Sequence, residues 1–328
     1  MRLLILDGGL GTTLEGPPYN VRFTDSTPLW SSHLLTSDPR TLTKVHRAFV
    51  DAGADIVLTA TYQTSIEGFQ KTDPSFTPDN AKKYMRSAVQ LARDAGTARI
   101  ALSLGPYGAT MTPIATEYTG QYPPEMDSED ALRKWHADRL AVFASDRATW
   151  DAIDFVAFET VKRVDEVRAI RDVVHSFESY GIQKPWWITG VFPTQEVDEP
   201  AVREWVRAAL LIGSSCTPRP WGIGVNCTRI GNIDRIVRIM EDEIAWLHLA
   251  ARPWLVLYPD GTKGEQYDPV TRQWVQKSSN KLASAWEDVY SDVVENRSSC
   301  WEGIVAGGCC RTGPKEIEAL ARALSRAS

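Results

Sequence analysis

Three cysteines stand directly after predicted β-strands and are the side chains of this sequence best suited to chemistry. Cys227 follows the apolar run Gly222–Val225, and the pair Cys309 and Cys310 follows the run Gly303–Ala306 and two glycines. In a barrel of parallel strands, the carboxyl ends of all strands meet at one rim. We therefore expect the three sulfurs to lie together, where three thiolates would suit Zn²⁺ and leave its fourth tetrahedral position open.

The adjacent cysteines place a condition on the backbone. Neighbouring residues of a regular strand point to opposite faces, so Cys309 and Cys310 can bind one ion only where the chain leaves extended geometry. We expect Gly307 and Gly308 to permit that departure, because glycine reaches backbone angles closed to other residues. Two inert buried thiols, a vicinal disulfide and a closed structural zinc site remain alternatives, although the short Cys-x-x-Cys knuckles typical of closed sites are absent.

The all-sulfur ligand set indicates a reaction class. Three thiolates would leave zinc a net charge near −1, which disfavours water activation and therefore a metallohydrolase. Such an ion can still hold an incoming thiol as its thiolate. A free thiol has a pKa of about 8.5 and is mostly protonated at neutral pH. The ligand set therefore favours alkyl transfer to a thiol.

Other polar residues follow predicted strands and would share the rim. Asp7 and Gly8 open a glycine-rich turn whose N–H groups can receive a carboxylate. Glu159 follows the fourth strand, and Thr59 and Thr61 lie at the end of the second. Taken alone, a glycine-rich turn or a carboxylate at a strand end is weak evidence, since such a carboxylate is often a helix cap. Cys216 and Cys300 lack comparable surroundings, and we expect ordinary packing for them.

Eight apolar runs of strand length alternate with stretches of helical periodicity, which predicts a single (β/α)8 barrel over residues 1–328. The predicted strands are Leu3–Leu6, Ile56–Thr59, Ile100–Leu104, Phe155–Phe158, Trp186–Val191, Gly222–Val225, Trp254–Tyr258 and Gly303–Ala306. The predicted helices are Thr41–Ala52, Asn80–Ala95, Ser128–Thr149, Val164–Ser179, Glu199–Ile212, Gly231–Leu249, Ala283–Asn296 and Pro314–Arg326. Three long loops, Gly16–Ser32, Tyr107–Met126 and Pro259–Gln276, would wall the pocket.

Composition narrows the class of protein. The 328 residues carry a net charge of −6 without a basic block, which argues against a nucleic-acid partner. No apolar stretch approaches a membrane span, and the apolar N-terminus is shorter than a signal peptide. Five cysteines make a disulfide framework improbable, so we expect a reducing, cytoplasmic location and small-molecule partners. Nothing in the sequence sets the oligomeric state.

Taken together, these motifs resemble the zinc-dependent homocysteine S-methyltransferases. The resemblance covers nearly the whole chain and is most specific at Gly224-Val-Asn-Cys-Thr228 and Gly307-Gly-Cys-Cys310. Further matches are Asp7-Gly-Gly-Leu-Gly-Thr-Thr-Leu-Glu15, Ala52-Gly-Ala-Asp-Ile56, Thr61-Tyr-Gln63, Gly105-Pro-Tyr-Gly-Ala109, Phe158-Glu-Thr160, Glu166, Tyr258-Pro259, Gly264-Glu265 and Tyr267. One departure is Ala60, where many relatives have asparagine.

The resemblance implies Zn²⁺ on Cys227, Cys309 and Cys310, with homocysteine bound through its thiolate. It implies further contacts, with Asp7, Gly8 and Glu159 holding the amino and carboxylate groups, Asn226 supporting the zinc loop, and the donor lying near Thr59, Thr61 and Tyr62. The implied reaction moves a methyl group from S-methylmethionine or S-adenosylmethionine to homocysteine and forms methionine. Another small thiol or a selenol as acceptor, and a homocysteine-binding protein without turnover, are the alternatives.

Overall fold

The computed structural model describes residues 1–24, 27–112, 114–179, 181–211, 218–262, 265–268, 273–276 and 285–326. Its strands are β1 (Arg2–Ile5), β2 (Ile56–Leu58), β3 (Arg99–Leu104), β4 (Phe155–Phe158), β5 (Trp186–Gly190), β6 (Gly222–Arg229), β7 (Trp254–Asp260), β8 (Glu265–Asp268), β9 (Gln273–Gln276) and β10 (Gly303–Ala306). Its α-helices are α1 (Leu10–Glu15), α2 (Leu34–Ser37), α3 (Pro39–Asp51), α4 (Ile66–Thr72), α5 (Pro78–Arg93), α6 (Glu129–Ala144), α7 (Arg147–Asp151), α8 (Val164–Ser179), α9 (Glu199–Leu210), α10 (Ile230–Leu247), α11 (Trp286–Glu295) and α12 (Pro314–Arg326).

Eight of the strands form one parallel sheet in the order β1-β10-β7-β6-β5-β4-β3-β2. A parallel bridge between Leu6 and Ile56 links its two ends, and the Asp7 N–H donates to the Ile56 carbonyl at 3.1 Å. The sheet therefore rolls into a nearly closed barrel with helices outside it. This confirms the predicted (β/α)8 fold.

The amino-terminal end of the barrel is filled by aromatic rings. Trp221 stacks on Trp254 with ring centres 4.6 Å apart, and Phe155 lies 5.2 Å from Trp221 and 5.6 Å from Trp187. Arg2 lies over the ring of Trp254, where its charge faces the electron-rich ring surface. Three of the twelve tryptophans thus pack the barrel interior at this end, which leaves the opposite end for the site.

Two predicted elements differ from the structure. The stretch Ser128–Thr149 is interrupted because the Asp146 side chain accepts a hydrogen bond from the Thr149 N–H at 2.9 Å and so starts the new helix α7. The segment Pro259–Gln276 is not a plain loop, since β8 and β9 pair antiparallel within it. Cys216, Ile212, Gly264 and residues 283–284 lie outside the described residues.

Within the described ranges, no helix combines the length and apolar character that crossing a membrane requires.

Candidate active site

The structure brings the three predicted cysteines together at the carboxyl rim of the barrel. The sulfur atoms of Cys227, Cys309 and Cys310 all lie within 4.8 Å of one another and line one cavity of about 200 Å³. Tetrahedral ligands at the usual Zn–S distance of about 2.3 Å stand about 3.8 Å apart, so the observed spacing fits one ion with small side-chain movements.

Two of the three sulfurs are joined in the structure. Cys227 and Cys309 form a disulfide, while Cys310 is a free thiol. This pairing differs from the vicinal Cys309–Cys310 disulfide considered from the sequence. Because a metal ligand must be a thiolate, all three sulfurs can serve one ion only in the reduced chain.

Cys227 owes its position to a bulge in β6. The register between β6 and β7 shifts between Asn226 and Arg229, and Cys227 has the left-handed φ of 46°. That conformation turns its side chain out of the regular strand alternation. The chain leaves the strand at Gly307 and Gly308 as predicted, since β10 ends at Ala306, and Arg311 beyond the cysteine pair has a left-handed φ of 64°.

The glycines near the cysteines are required for close packing. The Gly308 N–H donates to the Asp7 carbonyl at 3.0 Å, which fixes the cysteine turn against the end of β1. At Gly9, a Cβ atom would overlap the carbonyl oxygen of Cys309, and at Gly308 it would overlap the Thr312 hydroxyl. The two predicted motifs therefore form one packed unit. The Gly9 N–H already donates to the Thr312 carbonyl at 2.8 Å, so it is not available to a ligand.

Asn226 anchors the chain just before Cys227. Its fully buried Oδ1 accepts from the Thr160 N–H at 2.7 Å and from the Thr189 hydroxyl at 2.8 Å, and its Nδ2 donates to the Thr160 Oγ1 at 2.7 Å. Thr160 also has a left-handed φ of 63°. One side chain thus ties together two backbone positions of unfavourable conformation at the ends of β4 and β6.

Two predicted carboxylates lie on the cavity wall. Asp7 accepts from the Leu58 N–H at 2.9 Å through Oδ2, while its buried Oδ1 has no hydrogen-bond partner among the described residues. Glu159 accepts from the Ser103 hydroxyl. Burial raises the pKa of Asp7 well above its usual value and raises that of Glu159 to about 7. Desolvation penalises both charges, so a cation in the cavity would be stabilised beside them.

Of the remaining residues that we predicted to contact substrate, some line the cavity and one supports its wall from behind. Gly8, Thr59 and Tyr62 line the cavity. Thr61 does not line the cavity but is fully buried behind its wall, where its hydroxyl donates to the Ser103 carbonyl at 2.6 Å. Arg139 supports this segment from behind by donating to the carbonyls of Thr61 and Tyr62 at 2.8 and 2.7 Å.

Sequence reasoning missed Glu117, which lies on the rim loop between β3 and α6. It lines the cavity and is 8% exposed, and burial raises its pKa to about 7. Its loop, Tyr107–Met126, was predicted to wall the pocket, but nothing in the local pattern separates Glu117 from the exposed Glu125. Ser103 and Tyr258 were also missed as lining residues.

A buried carboxylate beneath this loop fixes its course. Glu166 accepts from the Tyr107 N–H at 2.8 Å, from the Tyr122 hydroxyl at 2.5 Å and from His136 Nε2 at 2.9 Å. Burial lowers the pKa of His136, so its neutral ring donates to the Glu166 carboxylate. The network holds both ends of the segment that carries Glu117.

The fold and the site define a class of protein: a (β/α)8 barrel with a cluster of three cysteine sulfurs at its carboxyl rim. A sequence profile of the homocysteine S-methyltransferases matches residues 4–324. The chain is 32% identical over 339 residues to homocysteine S-methyltransferase 4 of Zea mays, covering 98% of this chain and 90% of the relative. It therefore belongs to the homocysteine S-methyltransferase family.

Other relatives agree over similar lengths. Homocysteine S-methyltransferase 1 of Saccharomyces cerevisiae is 29% identical, over 100% of this chain and 95% of that protein. The selenocysteine methyltransferase of Astragalus bisulcatus is 27% identical, over 99% of this chain and 93% of that protein. Among solved structures, the oxidized form of the Escherichia coli homocysteine methyltransferase MmuM superposes with a TM-score of 0.69 at 25% identity, over 98% of this chain and 96% of that chain. The metallated form of the same protein superposes with a TM-score of 0.66 at 24% identity, over 99% of this chain and 96% of that chain, and shows the shared fold.

Proposed function

We propose that this protein transfers a methyl group from a sulfonium donor, S-methylmethionine or S-adenosylmethionine, to homocysteine and so forms methionine. The observation that carries the proposal is the convergence of Cys227, Cys309 and Cys310 on one cavity in a chain of this family. The names of the relatives give homocysteine as the acceptor. A cytoplasmic location suits the proposal, since a reducing compartment keeps the cysteines as thiols.

Zn²⁺ is the ion that this donor set fits best, held by Cys227, Cys309 and Cys310. When bound, it would keep the homocysteine sulfur in the thiolate form at neutral pH. Asn226 acts on this chemistry indirectly, since its hydrogen bonds hold the backbone before Cys227. The residue therefore positions a ligand without touching substrate.

The cavity wall supplies the rest of the acceptor site. The unpaired Oδ1 of Asp7 is suited to the ammonium group of homocysteine, and Glu159 lies on the same wall. Gly8 lines the same wall, and its lack of a side chain permits close packing behind the wall, because a Cβ atom would lie 2.4 Å from the Thr312 carbonyl oxygen and 2.9 Å from Phe49. Thr59 and Tyr62 form the wall that we assign to the donor, with Thr61 behind it as support.

The reaction is a direct displacement. The homocysteine thiolate attacks the methyl carbon in line, a carbon–sulfur bond forms, and the carbon–sulfur bond to the sulfonium breaks. The bonding pair remains on the departing sulfur, which leaves as a neutral thioether and needs no proton from the protein. Positioning two reactants in one cavity supplies much of the acceleration.

The decisive experiment compares Cys310→Ser with Cys300→Ser. Cys300 lies outside the cavity lining and serves as a matched control. We expect Cys310→Ser to lose most bound zinc and methionine formation, while Cys300→Ser keeps both. Full zinc occupancy and unchanged turnover in Cys310→Ser would refute the assignment. A panel of sulfonium donors, run with and without a chelator, identifies the donor.

A selenol acceptor is a second candidate, favoured by the similarity to the selenocysteine methyltransferase of Astragalus bisulcatus. A selenolate would occupy the same position as the thiolate. Competition between homocysteine and selenocysteine for one donor measures the ratio of their kcat/KM values. A ratio above one for selenocysteine supports this candidate, and a ratio far below one excludes it as the main activity.

A further inference from the structure

The charge of the cavity wall is one-sided. Among the described residues, no lysine, arginine or histidine lines the cavity. Its lining includes the three cysteines and four carboxylate residues, Asp7, Glu15, Glu117 and Glu159. Burying several carboxylates without a cation is costly. The arrangement is therefore suited to ligands that bring positive charge.

Two of these carboxylates have partners within the protein. Glu159 accepts from the Ser103 hydroxyl, and the charge of Arg311 acts against the burial that raises the pKa of Glu15. In contrast, Asp7 Oδ1 and Glu117 Oε2 are buried oxygens without a hydrogen-bond partner in the described part of the chain. Buried polar atoms normally have hydrogen-bond partners, so each oxygen is suited to accept a hydrogen bond from a bound ligand.

The backbone that carries Glu117 is held by its neighbours. The neighbouring Thr116 N–H donates to the Gly108 carbonyl at 2.9 Å, and a Cβ atom on Gly108 would lie 2.8 Å from the Glu117 nitrogen. Glu166 fixes the loop on both sides through Tyr107 and Tyr122. These contacts fix the backbone that carries Glu117, and its side chain is buried in the cavity wall.

The charge of Glu117 also acts across the cavity. Glu117 and Tyr62 line the same cavity, and burial followed by the charge of Glu117 raises the pKa of Tyr62. Glu117 thus lies within electrostatic reach of the wall assigned to the donor.

We propose that Glu117 binds the α-ammonium group of the methyl donor, which makes the donor an amino acid sulfonium. This inference rests on the proposed function. The two substrates bring two ammonium groups, and the cavity offers two unpaired carboxylate oxygens. Asp7 adjoins the cysteine turn and suits homocysteine, which leaves Glu117 for the donor. The sulfonium itself cannot fill the role, because it has no N–H to donate.

The test combines a variant with a modified donor. Glu117→Gln keeps the shape of the side chain and removes its charge. The donors are S-methylmethionine and 4-(dimethylsulfonio)butanoate, which has hydrogen in place of the ammonium group. A hydrogen bond between charged groups is worth roughly 1.5–3 kcal/mol, so Glu117→Gln should lower kcat/KM for S-methylmethionine about 10- to 150-fold. The exposed Glu125→Gln on the same loop is the matched control and should behave as the wild type.

With the des-amino donor, Glu117→Gln and the wild type should have kcat/KM values within about twofold of each other, and the KM for homocysteine should stay unchanged. An equal loss with both donors, or a rise in the homocysteine KM alone, overturns the inference. If Glu117→Gln does not fold, the wild type still decides: equal kcat/KM for the two donors also overturns it. Failure of the wild type with every sulfonium donor refutes the proposed function instead, so the two failures are distinguishable.

Discussion

The buried carboxyl group of Glu117 should make the free protein less stable as the pH rises. Its pKa is raised from 4.5 to about 7 in the folded chain. A group whose pKa is raised on folding binds more protons in the folded state, so the free energy of unfolding falls between these two values as pH increases. From pH 5 to pH 8 this effect amounts to about 2–3 kcal/mol.

Glu117→Gln removes that dependence. We expect the variant to gain about 2–3 kcal/mol relative to the wild type on going from pH 5 to pH 8. Urea unfolding of the reduced, metal-free protein, followed by tryptophan fluorescence at both pH values, measures the change. Glu125→Gln, exposed on the same loop, should show no such gain.

The contrary result is equally clear. If Glu117→Gln is destabilised by the same amount at both pH values, then Glu117 is a satisfied core residue and not an unpaired acceptor. A gain at pH 8 that disappears when S-methylmethionine saturates the wild type would instead show that ligand binding offsets the cost of burial.

Three further changes test the supports of the site. Asn226→Ala should cost about 2–4 kcal/mol of unfolding free energy, because it leaves the Thr160 N–H without its partner, and should speed zinc loss to a chelator; an effect below about 0.5 kcal/mol contradicts the anchoring role. Gly9→Ala should destabilise by about 1–3 kcal/mol and lower zinc content, since its Cβ would overlap the Cys309 carbonyl; full zinc content in a stable variant would show that the turn can relax. Glu166→Ala should cost about 3–5 kcal/mol and speed hydrogen exchange across the Tyr107–Met126 loop; unchanged exchange there would show that the loop is held by other contacts.

The barrel was predictable because its strands are continuous apolar runs. Phe155–Phe158 and Gly303–Ala306 match their predicted bounds, and the other barrel strands differ by a few residues. A parallel strand is buried on both faces, so its whole length carries the hydrophobic signal. The predicted meeting of Cys227 with the cysteine pair followed from topology alone, since strand ends of a barrel share one rim.

The features of the site that we did not predict depend on local geometry and long-range contacts. The left-handed backbone of Cys227 was not predicted, and the preceding Asn226 is held there by the Thr160 N–H and by the Thr189 hydroxyl of a neighbouring strand. Glu117 was invisible for a similar reason. A carboxylate on an irregular loop becomes buried only through long-range contacts, here those of Glu166, and single-sequence patterns do not record them.

The packed aromatic rings at the amino-terminal end of the barrel affect how small molecules reach and leave the cavity. Trp221, Trp254 and Phe155 pack against one another at that end of the barrel, and the cavity with the three cysteines lies at the opposite, carboxyl rim. In the proposed reaction both substrates would therefore enter, and both products would leave, on the side of the cysteines. A molecule bound closer to the aromatic rings would then have to leave after one bound nearer the rim.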